Sequence, residues 1–281
     1  MIIDFHTHIF PSYIRDNRHL FFDHEQAFES IYRKPDSRLS GSRDLLENMD
    51  NEGVSKSVTF GFPWKLPDHF KKHNDYVIES VLKNPDRLIG FCAVDPLSPE
   101  ACEEVDRCLK AGLAGVGEIA IYQSDFSKDI INGLKDIMAL CAERDVPVLI
   151  HANEPVGHSY PGKQPMTIAG LYELLKNFPL NRIILAHWGG GIFFYELMKK
   201  DVRERLANVW FDTAASPFLY RPDIYRISVE ITGFDRILFG SDYPLIKPGR
   251  YFREMESSGL SKEVIDKVTG ENASKVLRIN N

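Results

Sequence analysis

Met1-Ile2-Ile3-Asp4-Phe5-His6-Thr7-His8 is the stretch on which the reading of the whole chain turns. Its apolar run has the character of a buried strand. In an extended strand alternate side chains share a face, so Asp4, His6 and His8 point the same way and the two imidazoles can grip one metal ion. An opening strand that carries half a metal site needs a fold that brings further ligands to its end.

Working outward, residues 9–40 form a polar and aromatic insertion after that strand. With Phe10, Tyr13, Phe21, Phe22 and Phe28 it is too long and too aromatic for an idle connection, and it reads as a lid over a mouth or a contact between subunits. A helix pattern follows from Ser42 and closes at Gly53. Strand-like runs then recur at 57–62, 88–94, 113–121, 146–152, 182–187, 209–213 and 236–241. Between them lie amphipathic stretches at 68–82, 99–110, 128–144, 166–177, 192–206 and 222–231, and 262–277 reads as closing helices. Such alternation demands parallel strands joined by crossover helices. Eight units predict an α/β fold, a single-domain (β/α)8 TIM-like barrel spanning 1–281. A doubly wound open sheet is the alternative.

Composition narrows the function classes. The chain has 281 residues, 43% hydrophobic and 26% charged, which suits an enzyme with a sizeable core. No stretch approaches the roughly 20 apolar residues of a membrane helix. A net charge of -6 argues against a dominant nucleic-acid surface. Cys92, Cys102, Cys108 and Cys141 lack metal-ligand spacing and read as reduced packing residues. The charged residues in the opening run exclude a secretory signal there, so the cytoplasm is the expected compartment.

The chemistry-bearing residues fall at strand ends. Glu118 lies late in the fourth run, His151 and His187 end the fifth and sixth, and Asp242 follows the eighth. A barrel gathers its active site at such positions. Four imidazoles and two carboxylates without a thiolate suit Zn2+ as the default, with Mn2+, Fe2+, Co2+ or Ni2+ as alternatives. Burying Glu118 requires a partner, either a metal or an arginine. The following loops offer Trp64, Lys65, His158, Tyr160, Lys163, Trp188, Phe218, Tyr220 and Arg221. Of these, Trp64, Lys65, His158, Tyr160, Trp188 and Arg221 are the candidate substrate contacts. Aromatic surfaces mixed with cations suit a small anionic or aromatic organic acid, or its lactone, ester or amide. His19, His24, His69 and His73 sit in polar surroundings and are expected to face solvent. Gly189-Gly190-Gly191 lacks the lysine of a phosphate loop, and no Gly-x-Ser-x-Gly elbow supports a serine hydrolase.

Taken in order, Asp4-Phe5-His6-Thr7-His8, 45–54, Ala186-His187-Trp188-Gly189-Gly190, Leu238-Phe239-Gly240-Ser241-Asp242-Tyr243-Pro244 and 271–277 resemble the amidohydrolase superfamily, in its amidohydrolase-related (amidohydrolase-2) subgroup. The resemblance runs along nearly the whole chain. It implies a distorted barrel in which His6, His8, His151 and Asp242 hold the principal metal, while His187 ligates a second ion or contacts substrate. Glu118 stands where two-metal members carry a bridging carboxylate. The segment Gly117-Glu118-Ile119 is also similar to the TatD-like nucleases, but Ala120-Ile121-Tyr122-Gln123 departs from them. Decarboxylases of the subgroup usually lack that glutamate, which favours hydrolysis.

The leading expectation is therefore a metal-dependent hydrolase of a C–O or C–N bond in a small organic acid derivative. A metal-bound water with its pKa lowered to about 7 would attack, Asp242 would manage its proton, and His187 would steady the oxyanion. A metal-dependent carboxy-lyase on an unsaturated or aromatic carboxylate is the second reading, and a non-catalytic metal-binding barrel the third. A homo-oligomer is left open.

Overall fold

The computed structural model describes residues 1–279. Eight strands, β1 Ile3–His8, β2 Lys56–Phe60, β3 Leu88–Cys92, β4 Gly115–Ile119, β5 Val148–Ile150, β6 Ile183–Leu185, β7 Val209–Asp212 and β8 Ile237–Leu238, pair in chain order. Every pairing is parallel. The sheet closes where Thr7 pairs with Tyr243, helped by Phe5 N–H donating to Phe239 O at 2.8 Å and Asp242 N–H to His6 O at 2.9 Å. This is the expected barrel, and each strand overlaps its predicted run.

Along the strands, neighbours divide between two apolar clusters, as the two faces of a pleated strand require. Leu149 and Ile184 join Ile3, Phe5, Val58, Phe60, Phe91 and Leu238 in the barrel interior. Val148, Ile150, Ile183 and Leu185 face outward into a larger layer shared with the helices.

The helices are α1 Ser12–Asp16, α2 Gln26–Tyr32, α3 Ser42–Glu52, α4 Pro67–Lys83, α5 Ala101–Lys110, α6 Lys128–Arg144, α7 Ile168–Asn177, α8 Val202–Arg205, α9 Ser216–Leu219, α10 Asp223–Thr232, α11 Pro248–Ser257, α12 Lys262–Asp266 and α13 Asn272–Leu277. One expected helix is corrected and one further helix appears. The helix expected over 192–206 is instead a run of 3-10 turns, His187–Leu197, followed by the short α8, because the backbone turns left-handed from Trp188 through Gly191. Helix α11, unread in the sequence, starts at Pro248 and buries Tyr251 and Met255 one turn apart.

The 9–40 insertion is no plain loop. It folds as α1, a 3-10 turn and α2. Arg18 donates to the carbonyls of Tyr32 and Ser37, at 3.4 and 2.7 Å, which fastens the crook after α2. Buried Glu25 accepts from the N–H groups of Lys65 and Leu66 at the start of α4, both at 2.9 Å, and lies 3.2 Å from His69 Nδ1. Glu25→Ala leaves these donors without their acceptor. It is expected to lower stability by about 1–3 kcal/mol in urea unfolding and to speed hydrogen exchange within 9–40. Among the described residues, no helix is long and apolar enough to cross a membrane, and all four cysteines are free.

Candidate metal centre

The candidate ligands gather at one rim, where His151 groups with Glu118 and His187 and not with His6, His8 and Asp242. His6 and His8 on β1 bring their Nε2 atoms to 3.3 Å of each other. Asp242 Oδ1, just past β8, lies 3.3 Å from His8 Nε2 and 3.7 Å from His6 Nε2. Glu118 on β4 faces both ways. Its Oε2 is 3.8 Å from His6 Nε2, whereas Oε1 is 2.8 Å from His151 Nδ1 and 3.6 Å from His187 Nε2. Three donor sets, His6/His8/Glu118, His6/His187/Asp242 and Glu118/His151/His187, each have ligand atoms within 4.8 Å of one another. Asp4 does not join them. A register shift in β1 sends its carboxylate to the Ser241 N–H and hydroxyl, at 2.9 and 2.5 Å.

Local backbone geometry aims these side chains. His187, Trp188, Ala215 and Asp242 are non-glycine residues with φ of 54, 62, 55 and 60°. Left-handed φ outside glycine is costly and gathers where a side chain must be held in place. Gly240 serves by its lack of a side chain. A Cβ there would lie 2.8 Å from His6 Cβ, so only glycine lets β1 and β8 approach this closely.

The chemistry of the donors fits a cation. His187 Nδ1 lies 3.0 Å from the Ala214 carbonyl, which can only accept, so Nδ1 carries a proton and Nε2 is the nitrogen that faces Glu118. For His151, Asn153 Oδ1 already accepts from Gln164 N–H at 2.7 Å and stands 3.1 Å from His151 Nε2. His151 Nδ1 faces Glu118 Oε1 at 2.8 Å, so both ring nitrogens look onto oxygen acceptors. Imidazole nitrogens thus face carboxylate oxygens across the cluster, and a positive ion between them would satisfy both.

The carboxylates draw positive charge onto the imidazoles they face. Burial opposes charge at His6, yet Asp212 and Glu118 raise it to about 10. Against the same burial, the hydrogen bond and charge of Glu118, with Asp242, raise His187 to about 9. Glu118 is drawn well below the carboxylate range, opposing burial, by His151 and His6. Despite burial, His8, His6 and His187 draw Asp242 down to about 2.

Above the cluster opens a cavity of about 610 Å³. His8, Glu118, His151, His187 and Asp242 line its inner end. Its walls include Ile31, Tyr32, Phe62, Tyr122, Tyr160, Phe218 and Leu219, and Lys34, Asp36 and Arg38 line it as well. The insertion reaches over it, for a Cβ on Gly162 would lie 3.3 Å from Ile31.

Of the candidate substrate contacts, His158 and Tyr160 line the cavity and four others do not. Trp64 and Trp188 are corrected to core residues: both are fully buried, with indole N–H groups donating to His73 Nδ1 and Ser216 Oγ at 2.8 and 2.6 Å. Lys65 is exposed and borders a separate small pocket, and Arg221 is exposed beside Asp223. Lys163 is neutralised by Glu154 at 2.9 Å. His73 is also corrected. It is buried in α4, donates from Nε2 to Ile9 O at 2.6 Å, and burial lowers it to about 4. His69 is half-buried, while His19 and His24 are exposed as expected.

Sequence reasoning missed Tyr32, Tyr122, Asn153 and Asp212. The first two line the cavity above the cluster. Asp212 ends β7 fully buried, its Oδ2 2.8 Å from His6 Nδ1. The one signal for Asp212 was a carboxylate closing an apolar strand.

Over 264 residues the chain is 24% identical to the gamma-resorcylate decarboxylase of Polaromonas sp., covering 75% of this chain and 76% of that protein. A 5-carboxyvanillate decarboxylase of Novosphingobium aromaticivorans, complexed with manganese and 4-hydroxy-3-methoxy-5-nitrobenzoic acid, superposes with a TM-score of 0.77. It is 19% identical, over 99% of this chain and 96% of that one. The 5-carboxyvanillate decarboxylase of Sphingomonas paucimobilis gives 0.76 at 18% identity, over 99% of both. At such identities the two structures show the shared fold. Together these relatives correct the leading expectation of hydrolysis: they are decarboxylases, so a glutamate on β4 was too weak a sign to select a hydrolytic centre. The sequence pattern of amidohydrolases matches residues 3–279, the same span that closes the barrel and carries its donors, and the chain belongs to the amidohydrolase family.

Proposed function

We propose that the protein is a metal-dependent carboxy-lyase that releases carbon dioxide from an aromatic carboxylate. The observation that carries this reading is the wall beside the cluster. Phe62 and Tyr122 stack at 5.9 Å with 7° between their planes, and the Tyr122 ring stands 5.5 Å from that of His151. A planar ring fits against such a wall with its carboxylate turned to the donors. The decarboxylases among the relatives support the same chemistry.

His6, His8, His151 and Asp242 would hold the ion, with Glu118 and His187 alongside. A divalent ion, manganese or zinc, would supply positive charge that orients the carboxylate and steadies charge developing on the ring. Manganese is bound in three related structures and is the first to try. Asp242, drawn down to about 2 against burial by His8, His6 and His187, enters as a carboxylate. It takes the proton of a ring hydroxyl beside the carboxylate and passes it to the ring carbon. The pair of the breaking C–C bond returns to the ring, and carbon dioxide leaves. Apolar walls strip water from the substrate carboxylate, which favours its loss as a neutral gas.

The test is carbon dioxide release by protein loaded with Mn2+ or Zn2+ and offered hydroxybenzoates and carboxylated phenols. The expected result is ion-dependent release from at least one. Loaded protein that releases none, across a panel varied in ring substitution, would sink the reading.

A further inference from the structure

Asp212 touches neither the cavity nor the donors' inner faces, yet three groups of the centre depend on it. Its Oδ2 accepts from His6 Nδ1 at 2.8 Å, and its Oδ1 accepts the N–H groups of His187 and Ala214, both at 2.9 Å. The Ala214 carbonyl in turn faces His187 Nδ1 at 3.0 Å. One buried carboxylate and the turn that follows it thus contact imidazoles delivered by β1 and β6.

We infer that Asp212 is a positioning residue for the ion: it holds the proton of His6 on Nδ1, so that Nε2 keeps its electron pair for coordination, and through Ala214 it sets His187 in the same sense. A carboxylate can only accept, so the nitrogen facing it must donate. Partners of this kind fix which imidazole nitrogen binds a metal. The inference rests on the ion site of the proposed function and not on decarboxylation.

Asp212→Asn is close to isosteric. Two backbone N–H donors keep the amide oxygen where Oδ1 stands, which turns the amide N–H2 toward His6 Nδ1. Donor then meets donor, and His6 is driven to place its proton on Nε2, facing the ion. Zinc affinity, measured by competition with a coloured chelator and without substrate, is expected to weaken about 10- to 100-fold. Thr213→Val is the control for a merely structural role. It removes the Thr213 Oγ1 bonds to Gly240 O and Gly240 N, at 2.9 and 3.0 Å, without touching an imidazole. It is expected to lower the melting temperature and to leave zinc affinity nearly unchanged.

A spectroscopic arm stands even where Asp212→Asn fails to fold. In zinc-loaded wild-type protein, 1H–15N spectra are expected to show His6 bound through Nε2, with a slowly exchanging Nδ1 proton. Binding of His6 through Nδ1 overturns the inference. So does a folded Asp212→Asn that binds zinc like wild type, or a Thr213→Val that weakens binding as much as Asp212→Asn does. Wild-type protein that binds no divalent ion removes the inference together with the proposed function, whereas the other failures leave that function standing.

Discussion

Asp242→Asn is expected to lower carbon dioxide release by about 10²- to 10⁴-fold, the range set by loss of a positioned acid–base group, while the divalent ion stays bound. The amide has nearly the shape of the carboxylate and can still offer an oxygen beside His8, where Asp242 Oδ1 lies 3.3 Å from Nε2. What it lacks is the capacity to take up and return a proton. Turnover and metal content measured on the same sample separate the two roles. A fully loaded variant with wild-type turnover would take Asp242 out of the chemistry.

Removing the ion is expected to cost at least as much. Dialysis against a chelator should stop release, with a loss of about 10³-fold or more from the charge stabilisation withdrawn, and Mn2+ or Zn2+ should restore it. Stability should follow, since an ion that binds only the folded chain at 100 times its Kd adds about 2.7 kcal/mol. The chelated protein should therefore melt earlier, and a melting curve indifferent to added metal would deny the ion a place in the fold. Glu118→Gln should weaken binding as well. Its two carboxylate oxygens face His6 on one side and His151 and His187 on the other, and an amide presents an oxygen to only one of them.

The parts legible in the sequence share a physical reason. Strand ends in a parallel barrel all lie at one rim, so ionisable residues closing apolar runs, as in Val148-Leu149-Ile150-His151, must meet. Strand periodicity survives whatever the loops do. Aromatic residues after strands are different. Trp64 and Trp188 follow strand-like runs and read as rim contacts, but nothing local tells that the chain folds their rings inward onto His73 and Ser216. His73 could have been placed better. Phe70, His73, Asn74 and Val77 make one helical stripe, and all four are buried. The lysines beside it drew attention from that spacing. Asp212 resisted for another reason, since its partners His6, His187 and Ala214 lie on other strands or in the turn that follows it, and no pattern within β7 records them. The helical turns in 187–206 were illegible because an apolar run rich in glycine carries no sign of which residues turn left-handed.

The seam between β1 and β8 bears on how the protein comes into being. Synthesis delivers His6 and His8 more than 200 residues ahead of Asp242, and the bonds that close the sheet join those same two segments. Folding from the N-terminal end as the chain emerges can build neighbouring strands one upon another. Yet a nascent chain halted anywhere before Asp242 has an open sheet and an incomplete grip on its ion. Ion capture is therefore a late event, and a ribosome-stalled series should gain zinc affinity abruptly once the eighth strand and the residues after it clear the exit tunnel.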